Sequence, residues 1–273
     1  MGCLRIAVFC SSRSPELGWC RSTAMGTDVP RTRRRNHLLA SLPPSDRAHL
    51  EPHLEPVALR IRQRLEWPNR TIPKAYFLEH GLASVMTLSM GERVKVEVAM
   101  VGSEGMTGVG LLLGVDRWRV ETCMLMEGEG HGIAAEVLRK AMHECPALRS
   151  SLLRYAHCFV VQLAQTALAN ATGSVEQRLA RWLLMAHDRI EGDVLAITHE
   201  ELAVILGVRR AGITTALHQL EAQALVSTSR GKITILDRSG LRERAGGLYG
   251  AAEAQYDRLF PGRVNCELQR SAR

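Results

Sequence analysis

The segment HEELAVILGVRRAGITTALHQL, from His199 to Leu220, carries basic and hydroxyl side chains on one face of a predicted helix. Guanidinium, hydroxyl and imidazole groups can form hydrogen bonds with phosphates and with the edges of bases. The residues that would face outward are Arg209, Arg210, Ala211, Thr214, Thr215 and His218. We expect Arg210 to form a bidentate contact with guanine and Arg209 to contact the DNA backbone.

Two helices must cross closely in this segment if that face is to reach DNA. A helix-turn-helix needs a turn residue that tolerates unusual backbone angles, and Gly207 meets this need. The close crossing also needs a small residue, which is Ala203, together with apolar residues at fixed offsets. These apolar positions are Leu202, Leu206, Val208, Ile213 and Ala216. Thr198 is suited to cap the first helix, where it would lie close to phosphates.

The segment from Leu225 to Leu236 predicts two strands joined by a basic turn. This pattern is typical of the wing of a winged helix, and it places Arg230 and Lys232 at a tip that can meet phosphates. The alternative interpretation is a helical hairpin whose arginines are only solvated. The wing and the capping residue together favour the DNA-binding interpretation.

A period-two pattern further upstream predicts antiparallel strands. The segment from Arg93 to Val101 alternates apolar with other residues, which indicates a half-buried strand. The face expected to be buried carries Val94, Val96, Val98 and Met100. Ten of the 23 glycines lie between Gly81 and Gly132, around short predicted strands such as Leu82 to Ser89 and Val120 to Met126. Short strands with glycine at the turns predict a small barrel or jelly roll.

A long helix is predicted from Ala147 to about Asn170, with Pro146 as its start signal. Its apolar stripe consists of Leu148, Leu152, Tyr155, Phe159 and Leu163. The stripe would pair with a second copy of the chain or, alternatively, would be buried in the core of its own chain. The segment from Asn170 to Ser174 breaks the helix, and a capping box of Ser174 and Gln177 opens the next helix, Val175 to Ile190.

The bulk composition is that of a globular protein with room for two domains. The 273 residues are 46% hydrophobic and 23% charged, and no apolar run approaches the roughly 18 residues of a membrane span. We therefore expect a cytoplasmic protein without a membrane partner. Seven arginines, Glu16 and Asp28 give residues 1–35 a charge of +5 out of +7. These residues are expected to form a disordered extension, with Met25 as a candidate start, so overall basicity says little about nucleic acid.

The order of a glycine-rich barrel, a long helix, a hinge and a winged helix resembles the CRP/FNR family of bacterial transcription regulators. The stretches that carry the resemblance are VAMVGSEGMTG, SVEQRLARWLLMAHDRI, ITHEELAVILGVRRAGITTALHQLEAQALV and GKITILDRSGL. The resemblance implies an α+β fold with an N-terminal antiparallel β-barrel or jelly roll of the cyclic-nucleotide-binding type, a long dimerisation helix and a C-terminal winged helix-turn-helix.

The resemblance also implies a domain order and a set of partners. The expected divisions are a disordered extension at 1–35, a sensor barrel at 36–146, the dimerisation helix and hinge at 147–173, the winged helix-turn-helix at 174–260 and a flexible tail at 261–273. A homodimer would bind double-stranded DNA at two half-sites one helical turn apart, with RNA polymerase as a further partner. Ligand binding in the barrel would change how the DNA-binding domains hang from the hinge.

The effector pocket implied by the resemblance would lie inside the barrel. Its candidate residues are Glu104, Gly105, Met106, Thr107, Arg119, Val120, Glu121 and Thr122. Cyclic-nucleotide binders of the family use a Gly-Glu-Leu stretch for the ribose and an Arg-Ser or Arg-Thr pair for the phosphate. Here Val120 and Glu121 fall at the second site, and a glutamate facing a phosphate would repel it. We therefore expect another ligand or none, unless Arg117 or Arg119 replaces the missing arginine.

Two alternatives stay open. Some family members hold an iron-sulfur cluster, and the thiols that could supply it here are Cys3, Cys10, Cys20 and Cys123. Their spacings are wide, and the seven cysteines include no C-x-x-C pair, which is typical of free thiols rather than of structural zinc. The stretch GVGLLLG resembles the dinucleotide-binding turn of an enzyme, but the residues after it predict a strand where that turn needs a helix. We expect no enzymatic activity, no catalytic residue and no metal site.

Overall fold

The computed structural model describes residues 36–91 and 94–261. Its helices are α1 (His37–Ala40), α2 (Pro44–Leu50), α3 (Val109–Leu112), α4 (Ala135–Glu144), α5 (Pro146–Thr172), α6 (Val175–His187), α7 (His199–Leu206), α8 (Arg210–Ala222), α9 (Arg238–Ala245) and α10 (Ala251–Leu259). Its strands are β1 (Glu55–Leu59), β2 (Arg64–Glu66), β3 (Lys74–Leu88), β4 (Lys95–Val101), β5 (Val120–Ala134), β6 (Val194–Leu195), β7 (Val226–Ser229) and β8 (Lys232–Ile235). The predictions that lie outside the described residues are those for 1–35, Arg93, 262–273 and the thiols of Cys3, Cys10, Cys20 and Cys266.

The N-terminal half is built on one antiparallel sheet. Its strands follow the order β1-β5-β3-β4, and β2 also pairs with β5. The predicted α+β class and antiparallel sheet are confirmed. The described strands do not form the closed barrel that was expected, because β1 and β4 stand at opposite ends of the order without pairing to each other.

The two central strands, β3 and β5, are 15 residues long each, so the prediction of short strands is wrong. Four of the ten glycines that were expected around turns, Gly81, Gly128, Gly130 and Gly132, lie inside these strands. A Cβ on Gly128 would lie 2.1 Å from the carbonyl oxygen of His80, and one on Gly130 would lie 2.2 Å from that of Phe77. Glycine is required there because the neighbouring backbone comes too close for any side chain.

Strand β4 is buried in a different way from the one predicted. Val94 is 54% exposed, whereas Glu97 is 7% exposed. Ala99 and Val101 pack in the N-terminal core with β3 and β5, and Met100 packs in a second core with the C-terminal helices. Helix α7 packs against this strand. Because the strand is covered from two sides, a pattern of one buried and one solvated face does not describe it.

Helix α5 forms where it was predicted and extends to Thr172. The predicted stripe residues Leu148, Leu152, Tyr155 and Phe159 are buried in the N-terminal core of the same chain, with Leu163 packed at its edge. A fully buried leucine contributes roughly 2 kcal/mol to stability, which favours this intramolecular placement. The stripe is therefore not the surface that a second copy can meet, and the alternative of a core helix describes these residues.

The break after α5 is shorter than expected. Gly173 caps the end of α5, and Ser174 begins the cap of α6. Ser174 and Gln177 form the predicted capping box, with reciprocal hydrogen bonds of 3.0 and 3.2 Å. Helix α6 ends at His187 rather than at Ile190. The connection between the two halves of the chain is thus two residues long, because the segment Asn170–Thr172 stays helical.

The C-terminal half has its own core, formed by α6, α7, α8, α9 and the small sheet β6-β8-β7. Helix α10 departs from this grouping, because Tyr256 and Phe260 belong to the N-terminal core and α10 packs on α5. The end of the described chain therefore returns to the half from which the chain began. Among the described helices, none is both long and apolar enough to cross a lipid bilayer.

Candidate DNA-binding surface and effector region

The turn between α7 and α8 has the geometry that a helix-turn-helix needs. Gly207 ends α7 in the left-handed region, with φ of 61°, where glycine carries no steric penalty. The amide of Val208 donates to the carbonyl oxygen of Ala203 at 3.0 Å, which tightens the turn. Residues predicted to be buried at this crossing are buried, namely Leu202, Ala203, Leu206, Ile213 and Ala216, with Val208 packed beside them. The predicted packing is confirmed.

The outward face of α8 presents most of the predicted DNA-contacting residues to solvent. Arg209 is the N-cap of α8, and Arg210 is its first residue. The residues of this face that are exposed are Arg209, Arg210, Ala211, Thr215 and His218. Thr214 differs, because its hydroxyl donates to the carbonyl oxygen of Arg210 at 3.2 Å and lies 3.2 Å from Nδ1 of His199. Its side chain is partly committed inside the motif.

Thr198 caps α7, as predicted. Its side chain accepts a hydrogen bond from the amide of Glu201, and the Glu201 carboxylate accepts in return from the Thr198 amide at 3.0 Å. Glu201 also pairs with Arg62 of the N-terminal half at 3.2 Å. Burial raises the pKa of Glu201, but the hydrogen bonds from Thr198 and Arg62 outweigh burial and leave that pKa below its ordinary value. The cap therefore carries a negative charge at neutral pH.

The predicted wing is the hairpin of β7 and β8. Its turn contains Arg230 and Gly231, and both Arg230 and Lys232 are exposed. The amide and hydroxyl of Thr228 donate to the carboxylate of Glu221 on α8, each at 2.7 Å. These bonds fix the hairpin against α8, so that the exposed basic residues of the hairpin and of α8 are held in a fixed relative position.

Several of the predicted effector residues use their side chains in contacts inside the fold. Glu104 accepts from Arg189 at 2.8 Å, and Glu121 is paired with Lys95 and with Arg64. A Cβ on Gly105 would lie 2.2 Å from the hydroxyl oxygen of Tyr155. The others divide between the interior and the surface: Met106, Thr107, Val120 and Thr122 are buried, and Arg119 is exposed.

Glu66 was not anticipated from the sequence, and it occupies the centre of this region. Its carboxylate is buried and accepts hydrogen bonds from the amide of Gly108 at 2.9 Å and the hydroxyl of Thr122 at 3.0 Å. Burial raises the pKa of Glu66, and these two bonds oppose that rise. A carboxylate thus already lies at the start of α3, where an anionic ligand would be held. Nothing in the stretch around Glu66 distinguishes it from an ordinary strand residue.

The position of Glu66 also argues against the alternative that GVGLLLG is a dinucleotide-binding turn. The stretch GVGLLLG does contain a helix, but α3 is a single turn of four buried residues, Val109–Leu112. A pyrophosphate on its N-terminus would meet the carboxylate of Glu66. Strand β5 follows, as predicted, so the long helix of a dinucleotide-binding unit is missing at this place.

Of the four cysteines in the iron-sulfur hypothesis, Cys123 lies within the described residues. It is half-buried in β5, and burial together with the charge of Glu121 raises the pKa of its thiol. The other three cysteines of that hypothesis lie outside the described residues. The redox alternative therefore stays a hypothesis.

A buried polar junction joins the two halves of the chain; its members are Glu97, Glu104, Trp182 and Arg189. The indole of Trp182 on α6 donates to Glu97 on β4 at 2.7 Å. Arg189 follows α6 and forms an ion pair with Glu104 in which both side chains are almost fully buried. Burial lowers the pKa of Arg189, but the carboxylates of Glu104 and Asp188 raise it by more. The guanidinium of Arg189 therefore stays charged at neutral pH.

Helix α10 closes over this junction. The hydroxyl of Tyr256 donates to the backbone carbonyl of Glu104 at 2.5 Å, and the ring of Tyr256 stacks on that of Phe260. Arg154 of α5 lies over the Phe260 ring. The last described helix thus fastens the C-terminal half to the loop that carries Glu104.

Known proteins resemble this chain most clearly in its C-terminal half. A family model described as the Crp-like helix-turn-helix domain matches residues 177–244. The transcriptional regulator SdrP of Thermus thermophilus is 35% identical over 81 residues, which are 28% of this chain and 40% of that protein. The transcriptional regulator LdrP of the same species is 27% identical over 141 residues, 46% of this chain and 72% of that protein. This chain therefore matches less than half the length of SdrP.

Solved structures extend the similarity to the whole fold. A putative transcriptional regulator of the CRP/FNR family from Eubacterium rectale has a TM-score of 0.61 at 20% identity and covers 76% of this chain and 97% of its own. FixK2 from Bradyrhizobium japonicum has a TM-score of 0.61 at 15% identity and covers 70% of this chain and 96% of its own. Residues 177–244 thus match the Crp-like helix-turn-helix domain, and the fold of the described chain is similar to that of solved regulators of the CRP/FNR family.

Proposed function

We propose that this protein is a sequence-specific DNA-binding transcription regulator that acts as a homodimer on a near-palindromic site. The outward face of α8 carries this proposal, because Arg209, Arg210 and His218 are exposed while the opposite face is buried. The wing adds Arg230 and Lys232 for phosphate contacts. A single recognition helix reads too few bases for high specificity, which favours a dimer with two of them.

In vitro selection of sites from random DNA tests this proposal directly. The full chain should enrich two inverted half-sites whose centres are about one helical turn, or roughly 34 Å, apart. Binding of all sequences with equal strength, or enrichment of an isolated half-site by a monomer, would contradict it.

Contact with RNA polymerase and a cytoplasmic location belong to the same proposal, since a bacterial regulator meets both its DNA and the polymerase there. Regulators of this type are in general not enzymes, and we propose no catalytic activity.

The surface that we propose for dimerisation is the outer face of α5, which we call the outer seam. Its residues alternate at steps of four and three and are all exposed: Leu153, His157, Val160, Ala164, Ala167 and Ala171. Spacing of this kind places side chains along one line of a helix, as in a coiled coil. Val160 is 49% exposed and the neighbouring Leu168 is 46% exposed, so apolar surface is available to a second copy.

The effector region supports a regulator that does not bind cyclic nucleotides in the pocket expected for its family. Glu66 already occupies the amide of Gly108, and Glu121 is surrounded by its own cationic partners. A cyclic phosphate would have to displace one carboxylate and approach another. Calorimetric titration of the full chain with cyclic AMP should show no binding at micromolar concentration. Micromolar affinity that Glu66→Gln and Glu121→Ala leave unchanged would contradict this part of the proposal.

A further inference from the structure

A cleft of about 610 Å³ lies between α4, the first turns of α5 and α10, away from Glu66 and from the DNA-binding surface. We call it the α5–α10 cleft. The residues on which the argument depends are Met142, Arg149, Leu153, Arg154, Arg258 and Leu259. Protein sites for small molecules typically have volumes of roughly 300–1,000 Å³. The cleft is therefore large enough for a small organic molecule.

Three arginines line the α5–α10 cleft. Arg149 and Arg154 come from α5, and Arg258 comes from α10; the lining includes no aspartate or glutamate. Within the described part of the chain, Arg149 and Arg258 form no ion pair, while Arg154 donates to the hydroxyl of Ser151 at 3.0 Å. Three guanidinium groups around one cleft repel each other, and a bound anion would relieve that repulsion. Planar guanidinium groups are suited to carboxylate, sulfonate and phosphate oxygens.

Apolar side chains make up another part of the lining of the cleft. Met142, Leu153 and Leu259 line it beside Pro146, and Leu153 is 38% exposed to solvent although it belongs to the long helix. An inorganic anion would use the arginines and leave this apolar surface wet. A molecule with an apolar body and one anionic group would cover both, and the gain scales with the apolar area that it buries.

We propose that the α5–α10 cleft binds an amphipathic organic anion, with an aromatic or acyl body against the apolar residues of the lining and a carboxylate, sulfonate or phosphate against its arginines. The cleft joins a helix of the N-terminal half to α10, which follows the winged helix in the chain. A ligand that contacts Arg149 and Arg258 therefore adds a tie between the two halves. Occupancy would stabilise the arrangement in which α10 is docked on α5.

The test uses the full chain and the probe 1-anilinonaphthalene-8-sulfonate, which combines an aromatic body with one sulfonate. Fluorescence and calorimetric titration should show one site per chain. The double variant Arg149→Glu/Arg258→Glu should weaken probe affinity by about tenfold or more, because two charge-assisted contacts become repulsive. The matched variant Arg139→Glu changes an exposed arginine of α4 outside the cleft, and it should keep the affinity within about twofold.

Competition distinguishes the ligand classes. Dodecanoate should displace the probe, whereas inorganic phosphate at the same concentration should not, because phosphate has no apolar body. Absence of a site in the wild-type chain, equal affinity in the double variant, or equal displacement by phosphate would each overturn the proposal. Leu153 and His157 line the cleft and also belong to the outer seam, so the oligomeric state of the ligand-free double variant must be measured by sedimentation. If the ligand-free double variant no longer dimerises, the cleft is part of the dimer interface and is occupied by the second copy of the chain, and the proposal is overturned. In vitro selection of DNA sites with ligand-free protein tests the proposed DNA binding independently of the cleft.

Discussion

In the function proposed above, Arg210 is the side chain that we expect to contribute most to base recognition. It stands at the first position of α8 with its side chain exposed, where a guanidinium can reach the edge of a guanine. We expect Arg210→Ala to lose about 1–3 kcal/mol of discrimination at one base pair of each half-site, which is the usual value of a bidentate contact. Competition binding with single-base variants of the selected site measures this loss.

The dimer should survive that substitution, because Arg210 lies far along the chain from α5 and is not buried. Arg139→Ala, an exposed arginine of α4, is the matched control and should leave both sequence preference and sedimentation unchanged. Retention of the full preference by Arg210→Ala would show that another residue reads the base.

Glu97 is the residue whose proton should make stability depend on pH. Burial raises its pKa to about 7, and hydrogen bonds from Ser84 and Trp182 and the charges of Arg181 and Arg189 oppose burial only in part. An unfolded chain would release the proton near the ordinary value of 4.5. Between these two values the folded chain holds the extra proton, so its stability falls as the pH rises.

The contribution of the Glu97 proton is therefore fully present below about pH 4.5 and is lost as the pH rises through about 7. Glu97→Gln keeps a neutral group of the same shape at this position. Its unfolding temperature should decline less between pH 4.5 and 7 than that of the wild type, and the variant should be the more stable protein at pH 8. Calorimetric unfolding across this range measures both effects. Glu200→Gln, at an exposed position, should retain the wild-type slope, and an identical slope in Glu97→Gln would refute the assignment.

At the scale of elements, α5 is a helix with two apolar seams. The inner one, which includes Leu148, Leu152 and Phe159, is buried in the chain's own core, and the outer seam is exposed. A helix that is apolar on two opposite lines must be covered on both sides. One cover is the sheet of the same chain, and the outer seam is the surface that we assign to the second copy.

Val160→Asp places a charge in the middle of the outer seam without touching the inner one. We expect it to weaken dimerisation by about tenfold or more, because a carboxylate would be buried opposite its own copy. Analytical ultracentrifugation over a concentration series measures the dimer dissociation constant. Ala147→Asp introduces the same charge on the same helix at an exposed position off the seam and should have little effect. Equal dimerisation of both variants would exclude the outer seam.

At the scale of the whole molecule, the two halves are joined by apolar packing of Leu82 and Met100 with the C-terminal helices and by buried polar contacts. The ion pair of Glu104 and Arg189 is central, because α10 also reaches the Glu104 backbone through Tyr256. Arg189→Ala would leave a buried carboxylate without its cation. Removal of one partner of a buried pair typically costs about 3–5 kcal/mol. Hydrogen exchange should accelerate in α7 and α10, which pack on the N-terminal half.

The double variant Glu104→Gln/Arg189→Met separates the loss of packing from the loss of charge. It should recover much of the stability, because no unpaired charge is left in the interior. If Arg189→Ala is no less stable than the double variant, the ion pair does not hold the junction.

Much of the C-terminal half, which contains the helix-turn-helix, could be predicted from the residues alone. Gly207, Ala203 and the apolar offsets predicted the crossing of α7 and α8, and Thr198 and Ser174 predicted two caps, because these features depend on neighbours within a few positions. The order of the elements and the extent of α5 were predicted for the same reason.

Tertiary contacts decided the rest. The apolar seams of α5 look alike in sequence, and only the position of the sheet shows that Leu148 lies inside and Val160 outside. Buried Glu66 accepts a hydrogen bond from Gly108, which is 42 residues away in the sequence. Buried Glu97 accepts one from Trp182, which is 85 residues away. A carboxylate in a strand is normally solvated, and it becomes a buried acceptor only when distant donors fold around it. For this reason the helix-turn-helix could be assigned from its own residues, whereas the state of the effector region and the docking of α10 could not.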